Sequence, residues 1–259
     1  MRIGILGVGE IGQAIKQVYE NARGEYIIYE KDLLYSEFQP GMEYIHVCIP
    51  YKDYNQFRSA VRDVAIKYHP EVIVVHSTVV PGTTEKLFEE FGNVAHSPVR
   101  GVHPDIYEGL MTFPKFIGAE DDQLGKEIEQ HFYELGMESI FVRGSKNTEA
   151  AKIWSTTQYG VNIIIEKEIH RYCEENGLNF DVVYGLWNQS YNEGYRRLGR
   201  LRYQRYVLHH KPGALGGHCI VQNAELMPAE DMAQIILRKQ KGYERGEETK
   251  LFKENRNER

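Results

Sequence analysis

Apolar residues in the first ninety positions come as short continuous runs separated by stretches with helical spacing. Ile3 to Leu6 predicts a strand that stops at Gly7, and the run after it predicts a helix to about Glu20. Tyr26 to Tyr29, Tyr44 to Ile49 and Val72 to His76 predict three further strands. Between the last two, Phe57, Val61, Val64 and Ala65 recur at helical spacing, and Pro81-Gly82-Thr83 opens another helix through Leu87 to Phe91. Unbroken apolar strands alternating with helices predict an α/β fold, a Rossmann-type doubly wound parallel sheet covered on both faces.

From about Lys146 the pattern changes. One uninterrupted helical stretch runs from Thr148 to Glu175, with Ile153, Val161, Ile164 and Ile165 at its core positions. Asn176-Gly177 is a C-terminal cap pair, and Asp181 is positioned to cap a second helix beginning near Val182. Beyond Leu237, 13 of the last 22 residues are charged, which predicts a fraying or exposed helical tail. The expected organisation is a dinucleotide-binding domain over 1–145, a helical domain built on the long helix over 146–237, and a charged tail over 238–259.

Composition narrows the class. The chain has 259 residues, 42% hydrophobic and 26% charged, enough apolar content for a core and far from disordered, collagen-like or disulfide-scaffold compositions. No run of about 18 apolar residues predicts a membrane span. The start, MRIGILGVGE, leads straight into a motif without the pattern of a signal peptide. Cys48, Cys173 and Cys219 form no CxxC pair, which points to a reducing, cytoplasmic setting. His209, His210 and His218 have no carboxylate or second cysteine at ligand spacing, so no metal is expected. A net charge of -6 gives no general affinity for nucleic acid, yet Arg196, Arg197, Arg200, Arg202, Arg205 and Lys211 lie in a stretch without any acid. Such an island either recruits a small anion or is a solvated helix face.

The chemistry gathers in four places. Gly7-Val8-Gly9-Glu10-Ile11-Gly12 is GxGxxG between a strand and a helix: the first glycine permits the turn, the second admits a pyrophosphate and the third lets helix pack on strand. Glu30, with Lys31 after it, ends the second strand 18 residues past Gly12, where an acid binds a ribose 2′-hydroxyl and disfavours the extra phosphate of NADP, so NAD is the expected cofactor. Ile49-Pro50 and Ser77-Thr78 end the third and fourth strands at the edge where such folds bind ligands. Thr78 either meets a water or the nicotinamide end, or is an ordinary strand-end hydroxyl. Lys152, with Thr156 one turn later, is either a surface lysine or a cation that stabilises an alkoxide. Cys219 ends the loop Gly213-Ala214-Leu215-Gly216-Gly217-His218, where backbone amides and nearby cations favour a thiolate nucleophile.

Taken in order, GILGVGEIG, HSTVVPGTTE, SPVR at Ser97, EAAK and GALGGHC resemble the UDP-glucose/GDP-mannose dehydrogenases, most of all the members that oxidise UDP-N-acetylhexosamines. The resemblance covers roughly residues 1 to 225. It implies an NAD-binding Rossmann domain, a long helix that mediates a homodimer, and an anionic substrate, possibly a sugar nucleotide, oxidised at a CH–OH group. It makes Cys219 the nucleophile toward the intermediate aldehyde, Lys152 the alkoxide-stabilising lysine and Thr78 a holder of the catalytic water. It places Arg100, Thr156, Arg200, Lys211, Gly216, Gly217 and Asn223 around the substrate. Four positions depart from the pattern: Val99 replaces an acid, Thr156 an asparagine, Gln222 a lysine and Asn223 an aspartate. Only 40 residues follow Cys219, so the family's C-terminal nucleotide-sugar domain is expected to be missing. Two alternatives stand beside this reading: a β-hydroxyacid dehydrogenase, or an NAD-binding regulatory protein without turnover.

Overall fold

The computed structural model describes residues 1–32, 38–101, 104–216 and 218–245. The chain divides into two compact units, Met1–Lys152 and Ile153–Arg259.

The first unit is a seven-stranded sheet of β1 (Arg2–Leu6), β2 (Ile27–Lys31), β3 (Tyr44–Val47), β4 (Val72–Val75), β5 (Val94–His96), β6 (Lys115–Ala119) and β7 (Ser139–Arg143), in the order β2-β1-β3-β4-β5-β6-β7. Every neighbouring pair is parallel except β5 and β6. Alternation along the strands sends side chains to two faces. On one, Ile3, Ile5, Val72 and Val74 pack against α1 (Glu10–Asn21), α4 (Ile106–Thr112) and α5 (Asp122–Glu134). On the other, Leu6, Ile45, Val47, Ile73 and Val75 meet α2 (Tyr54–Tyr68) and α3 (Thr83–Phe91). The doubly covered α/β sheet follows the sequence pattern, and β5, β6, β7, α4 and α5 extend it.

Helix α6 (Ser145–Glu175) begins in this unit and continues into the second. It ends as its cap predicts: Gly177 takes φ +64°, and the Leu178 amide donates to the Cys173 carbonyl at 2.9 Å. The next helical segment is not capped by Asp181. Asn179 does that work, its Oδ1 accepting from the Asp181 amide at 2.9 Å and from the Val182 amide at 3.4 Å, because its side chain lies just ahead of the first helical amides. A π-helical turn, Asp181–Leu186, then leads into α7 (Trp187–Arg197). In the second unit α8 (His218–Glu225) and α9 (Asp231–Glu244) pack on α6 around Ile164, Ile220, Ala224, Ala233 and Ile236. Gly160 makes room for this, since a Cβ there would come within 2.6 Å of Ile220. The charged C-terminal stretch starts inside α9, where Lys239 and Tyr243 are buried.

Candidate functional site

The parallel strands β1, β3, β4 and β5 all end on one edge of the sheet, and the glycine turn is built there. Gly7 holds φ +104°, and a Cβ on it would fall 2.5 Å from the Cys48 carbonyl oxygen. A Cβ on Gly12 would sit 1.9 Å from the Gly7 carbonyl oxygen, so strand end and helix start touch through bare backbone. Gly9, by contrast, has nothing within 4 Å of where its Cβ would be. It faces open space at the N-terminus of α1, with Val8, Glu10 and Ile11 around it, and this is the shape an approaching pyrophosphate needs. The Lys31 carbonyl accepts from the Gly7 amide and fixes the turn to the end of β2.

Glu30 lies on β2 beside this turn. Gln13 donates to one carboxylate oxygen and Lys16 to the other, each at 2.6 Å, and the Lys16 ammonium holds the Glu30 carboxyl below the usual carboxylate range. On the neighbouring strand ends, Ser77 Oγ donates to the Ile49 carbonyl at 2.6 Å, which joins β3 to β4, and leaves Pro50 exposed and Thr78 half-buried. Burial pushes the Cys48 thiol up to about 12, so that cysteine is no nucleophile.

Beyond β5 the chain Ser97-Pro98-Val99-Arg100 presents a row of carbonyls. Lys152 Nζ donates to the Val99 carbonyl at 2.7 Å. A second lysine, Lys115 at the start of β6, donates to the carbonyls of Ser97 at 2.6 Å and Pro98 at 3.1 Å while only 3% exposed. Burial drives its pKa well below the ordinary lysine value. Arg100 is turned to structure, donating to the Pro114 carbonyl at 2.7 Å and lying over the rings of Phe113 and Phe116.

The motif containing Lys152 also contains a clasp. Glu149 is fully buried, and its two oxygens accept from the Gly82 amide at 2.5 Å and the Thr84 amide at 2.8 Å, capping α3 from α6. Burial raises its pKa despite these bonds. Glu149→Gln turns one accepting oxygen into a donor opposed to an amide, and is expected to lower stability by about 2 kcal/mol, read as a shifted urea midpoint with an unchanged slope.

In the second unit, Cys219 lies in the first turn of α8 and is half-buried. One turn later, Asn223 Nδ2 donates to Thr156 Oγ1 on α6 at 2.9 Å. Gly216 sits before this helix with φ +72°, and Gly217 lies outside the described residues. The basic stretch is largely committed to neighbours: Arg196 and Arg197 pair with Glu193, Arg202 lies over Tyr203, and Arg205 covers the Tyr191 ring at 3.8 Å. Arg200 and Lys211 are exposed. Although sequence spacing puts no carboxylate beside His210, the fold does: its Nδ1 meets Glu166 at 2.8 Å, and its ring stacks on His170 at 3.5 Å.

No family model matches the chain. A UDP-N-acetyl-D-mannosamine dehydrogenase of Methanococcus maripaludis is 29% identical over 155 residues, which are 58% of this chain and 33% of that protein. The enzyme of the same name from Pyrococcus horikoshii is 24% identical over 187 residues, 68% of this chain and 42% of its own. The chain is a sequence relative of the UDP-sugar dehydrogenases. It spans a third to two fifths of the length of these curated relatives. Its fold is theirs as well: a solved structure of UDP-D-ManNAc dehydrogenase from Pyrococcus horikoshii superposes with a TM-score of 0.75 at 18% identity, covering 94% of this chain and 69% of that one. The same fold is found in a 3-hydroxyisobutyrate dehydrogenase of Mycobacterium tuberculosis, with a TM-score of 0.69 at 13% identity and 93% of both chains covered.

Against these UDP-sugar dehydrogenase relatives, the residues that sequence reading missed are Lys115, Glu149 and a set of buried histidines. Glu149 carried a signal, since it opens the EAAK motif. His46, His76 and His96 stand within or just past strands and looked like interruptions, yet all are buried, as is His131 on α5. Burial brings His96 down to about 3 and His131 to about 4, and holds His46 and His76 well below the ordinary imidazole value. The unfolded chain therefore binds protons below about pH 6.5 that the folded chain refuses. The histidine contribution to stability is expected to be full above that pH and to fall as pH drops toward 4, by up to about 1.4 kcal/mol per pH unit for each ring. Urea midpoints between neutral pH and about pH 5 check this, and a flat profile contradicts it. Among the described residues no helix is long and apolar enough to cross a membrane.

Proposed function

We propose that this chain is an NAD-dependent dehydrogenase that oxidises a CH–OH group of a sugar nucleotide or related anionic sugar. One observation carries the reading: a glycine turn open only at Gly9 and a helix-borne ammonium, Lys152 on Val99, stand on the same edge of one sheet. Gly7, Gly9, Gly12 and the start of α1 suit a pyrophosphate, and Glu30 is held ionised where a ribose 2′-hydroxyl needs an acceptor, which favours NAD over NADP. A bound nicotinamide dinucleotide supplies the hydride acceptor. The chain's own groups do the rest. Lys152 stabilises negative charge on the substrate oxygen as its proton leaves, and Thr78 orients polar groups at the strand end.

Cys219 is proposed to act on the resulting aldehyde: its sulfur bonds to the carbonyl carbon while the oxygen takes up a proton. The Asn223–Thr156 bond supports this, because it ties the cysteine helix to α6. The helix N-terminus favours the thiolate. With an amide at 223 and Val99 in place of an acid, no carboxylate at those positions activates water, so a thioester formed on Cys219 by a second hydride transfer is expected to be hydrolysed slowly. Trp154, Ile165 and Tyr172 are exposed along one face of α6 and support the proposed homodimer.

Scanning UDP-sugars and simpler sugar alcohols for NADH formation, with Cys219→Ser beside wild type, tests the reading. A burst of two NADH per chain followed by slow turnover is expected. A serine variant that gives the same two-NADH burst as wild type removes the nucleophile role. Oxidation of 3-hydroxy acids, insensitive to thiol alkylation, replaces the reading with the hydroxyacid alternative, which the likeness to 3-hydroxyisobutyrate dehydrogenase over nearly all of both chains supports. Tight NAD binding without reduction by any alcohol leaves a regulatory protein.

A further inference from the structure

Three of the buried histidines of the first unit, His76, His46 and His131, stand in a continuous line of hydrogen bonds. Lys115 Nζ stands 3.1 Å from His76 Nδ1, and His76 Nε2 is 2.8 Å from His46 Nδ1. His46 Nε2 is 2.7 Å from the Tyr19 hydroxyl, which is 2.8 Å from His131 Nε2. The line starts at the strand-end carbonyls of Ser97 and Pro98 and ends where the His131 ring stacks on Tyr44, the first residue of β3. It therefore crosses one face of the sheet from its carboxyl edge to its amino edge.

Two polarities satisfy this line, and Lys115 selects between them. When Lys115 is an ammonium its three protons match three acceptors, the carbonyls of Ser97 and Pro98 and the Nδ1 lone pair of His76. His76 then carries its proton on Nε2 and donates to His46, His46 donates to Tyr19, and Tyr19 donates to His131. When Lys115 is neutral, His76 Nδ1–H donates instead to the Ser97 carbonyl, 2.7 Å away, and each later bond reverses. A purely structural network needs one arrangement. This one has a second acceptor, the Ser97 carbonyl, placed for the other.

We propose that Lys115, His76, His46, Tyr19 and His131 form a proton relay between the two edges of the sheet. In one passage a proton moves from Lys115 to His76 Nδ1, from His76 Nε2 to His46 Nδ1, from His46 Nε2 to the Tyr19 oxygen, and from the Tyr19 hydroxyl to His131 Nε2. Lys115 ends neutral, His131 ends as an imidazolium, and one proton has been carried with no other bond changed. Charged groups stand at both ends of the line. Cys48, Lys152 and Arg100 face Lys115, whose two neighbouring cations favour its release of a proton. At His131 burial disfavours the imidazolium and Glu134 offsets part of that cost, with Tyr26 and Tyr44 beside its ring. Burial disfavours charge on every ring between, which suits groups that pass a proton without keeping it. Each alcohol oxidised releases one proton along with its hydride, and the relay gives that proton a way out of the Lys152 edge. That use rests on the function proposed above, whereas the relay itself does not.

The test needs neither cofactor nor substrate. The full chain, labelled with 15N-histidine, is titrated from about pH 5 to about pH 10 while two-bond proton–nitrogen correlations report which ring nitrogen carries the proton. Expected is a joint switch of His46 and His76 from Nε2–H to Nδ1–H with one midpoint. In Lys115→Met both are expected to read Nδ1–H throughout. In Tyr19→Phe they still switch, but His131 ceases to respond. If His46 and His76 hold one tautomer across the wild-type titration, the relay is overturned, and this result needs no variant to fold. The same holds if His46 in a folded Lys115→Met is indistinguishable from wild type. Failure to find a sugar substrate changes none of these readings.

Discussion

Gly12→Ala and Gly9→Ala are expected to fail in opposite ways. At Gly12 the new methyl group would lie 1.9 Å from the Gly7 carbonyl oxygen, backbone that has nowhere to go because Gly7 is itself pressed against Cys48. Forcing strand and helix apart is expected to cost about 3 kcal/mol and lower the melting temperature by roughly 10 °C. At Gly9 the methyl group meets nothing, so the melting temperature should match wild type. The cost appears only when a dinucleotide must approach, as a loss of NAD affinity of about tenfold to a hundredfold. Calorimetry on the two variants separates a glycine needed by the fold from one needed by the ligand. If Gly9→Ala binds NAD as wild type does, the turn is not a pyrophosphate site.

Lys152→Met is expected to lower kcat for alcohol oxidation by about 100- to 1,000-fold while leaving NAD affinity close to wild type. The side chain donates to the Val99 carbonyl, so the variant's urea midpoint is read beside its kinetics to separate lost chemistry from lost packing. A matched loss in kcat and kcat/KM would mark an interaction made in the transition state alone, and a change confined to KM would mark a binding group. Equal turnover in variant and wild type would assign this lysine to the surface.

Much of the first unit is legible in the pattern of its strands. Regular apolar runs mark β1 to β4, and the helical spacing of Phe57, Val61 and Val64 marks α2, because both faces of this sheet are buried and the strands have nothing to alternate with. The far side of the sheet is harder. Strand β5 has three residues and ends in a histidine, while β6 follows a proline and opens on a lysine, so neither offers an unbroken apolar run. The glycine turn, Glu30 and Lys152 could be picked out because their spacing to neighbouring elements is local. Lys115 and the histidine line could not, since their partners are distant in sequence and polar residues inside strands look like breaks. Asp181 misled because the helix starts before it, and Asn179, two places earlier, accepts from the Asp181 and Val182 amides.

The bond between Asn223 and Thr156 also constrains descent. By the resemblance read from the sequence, both positions are replacements of the family's pattern, and here the two side chains touch. Restoring an aspartate at 223 alone would set a carboxylate against a threonine hydroxyl already donating to the Ile153 carbonyl. Restoring an asparagine at 156 alone would crowd one amide against another. Neither reversion is neutral without its companion, so a lineage that made both exchanges would not readily drift back, and engineering a return would have to change the two codons at once.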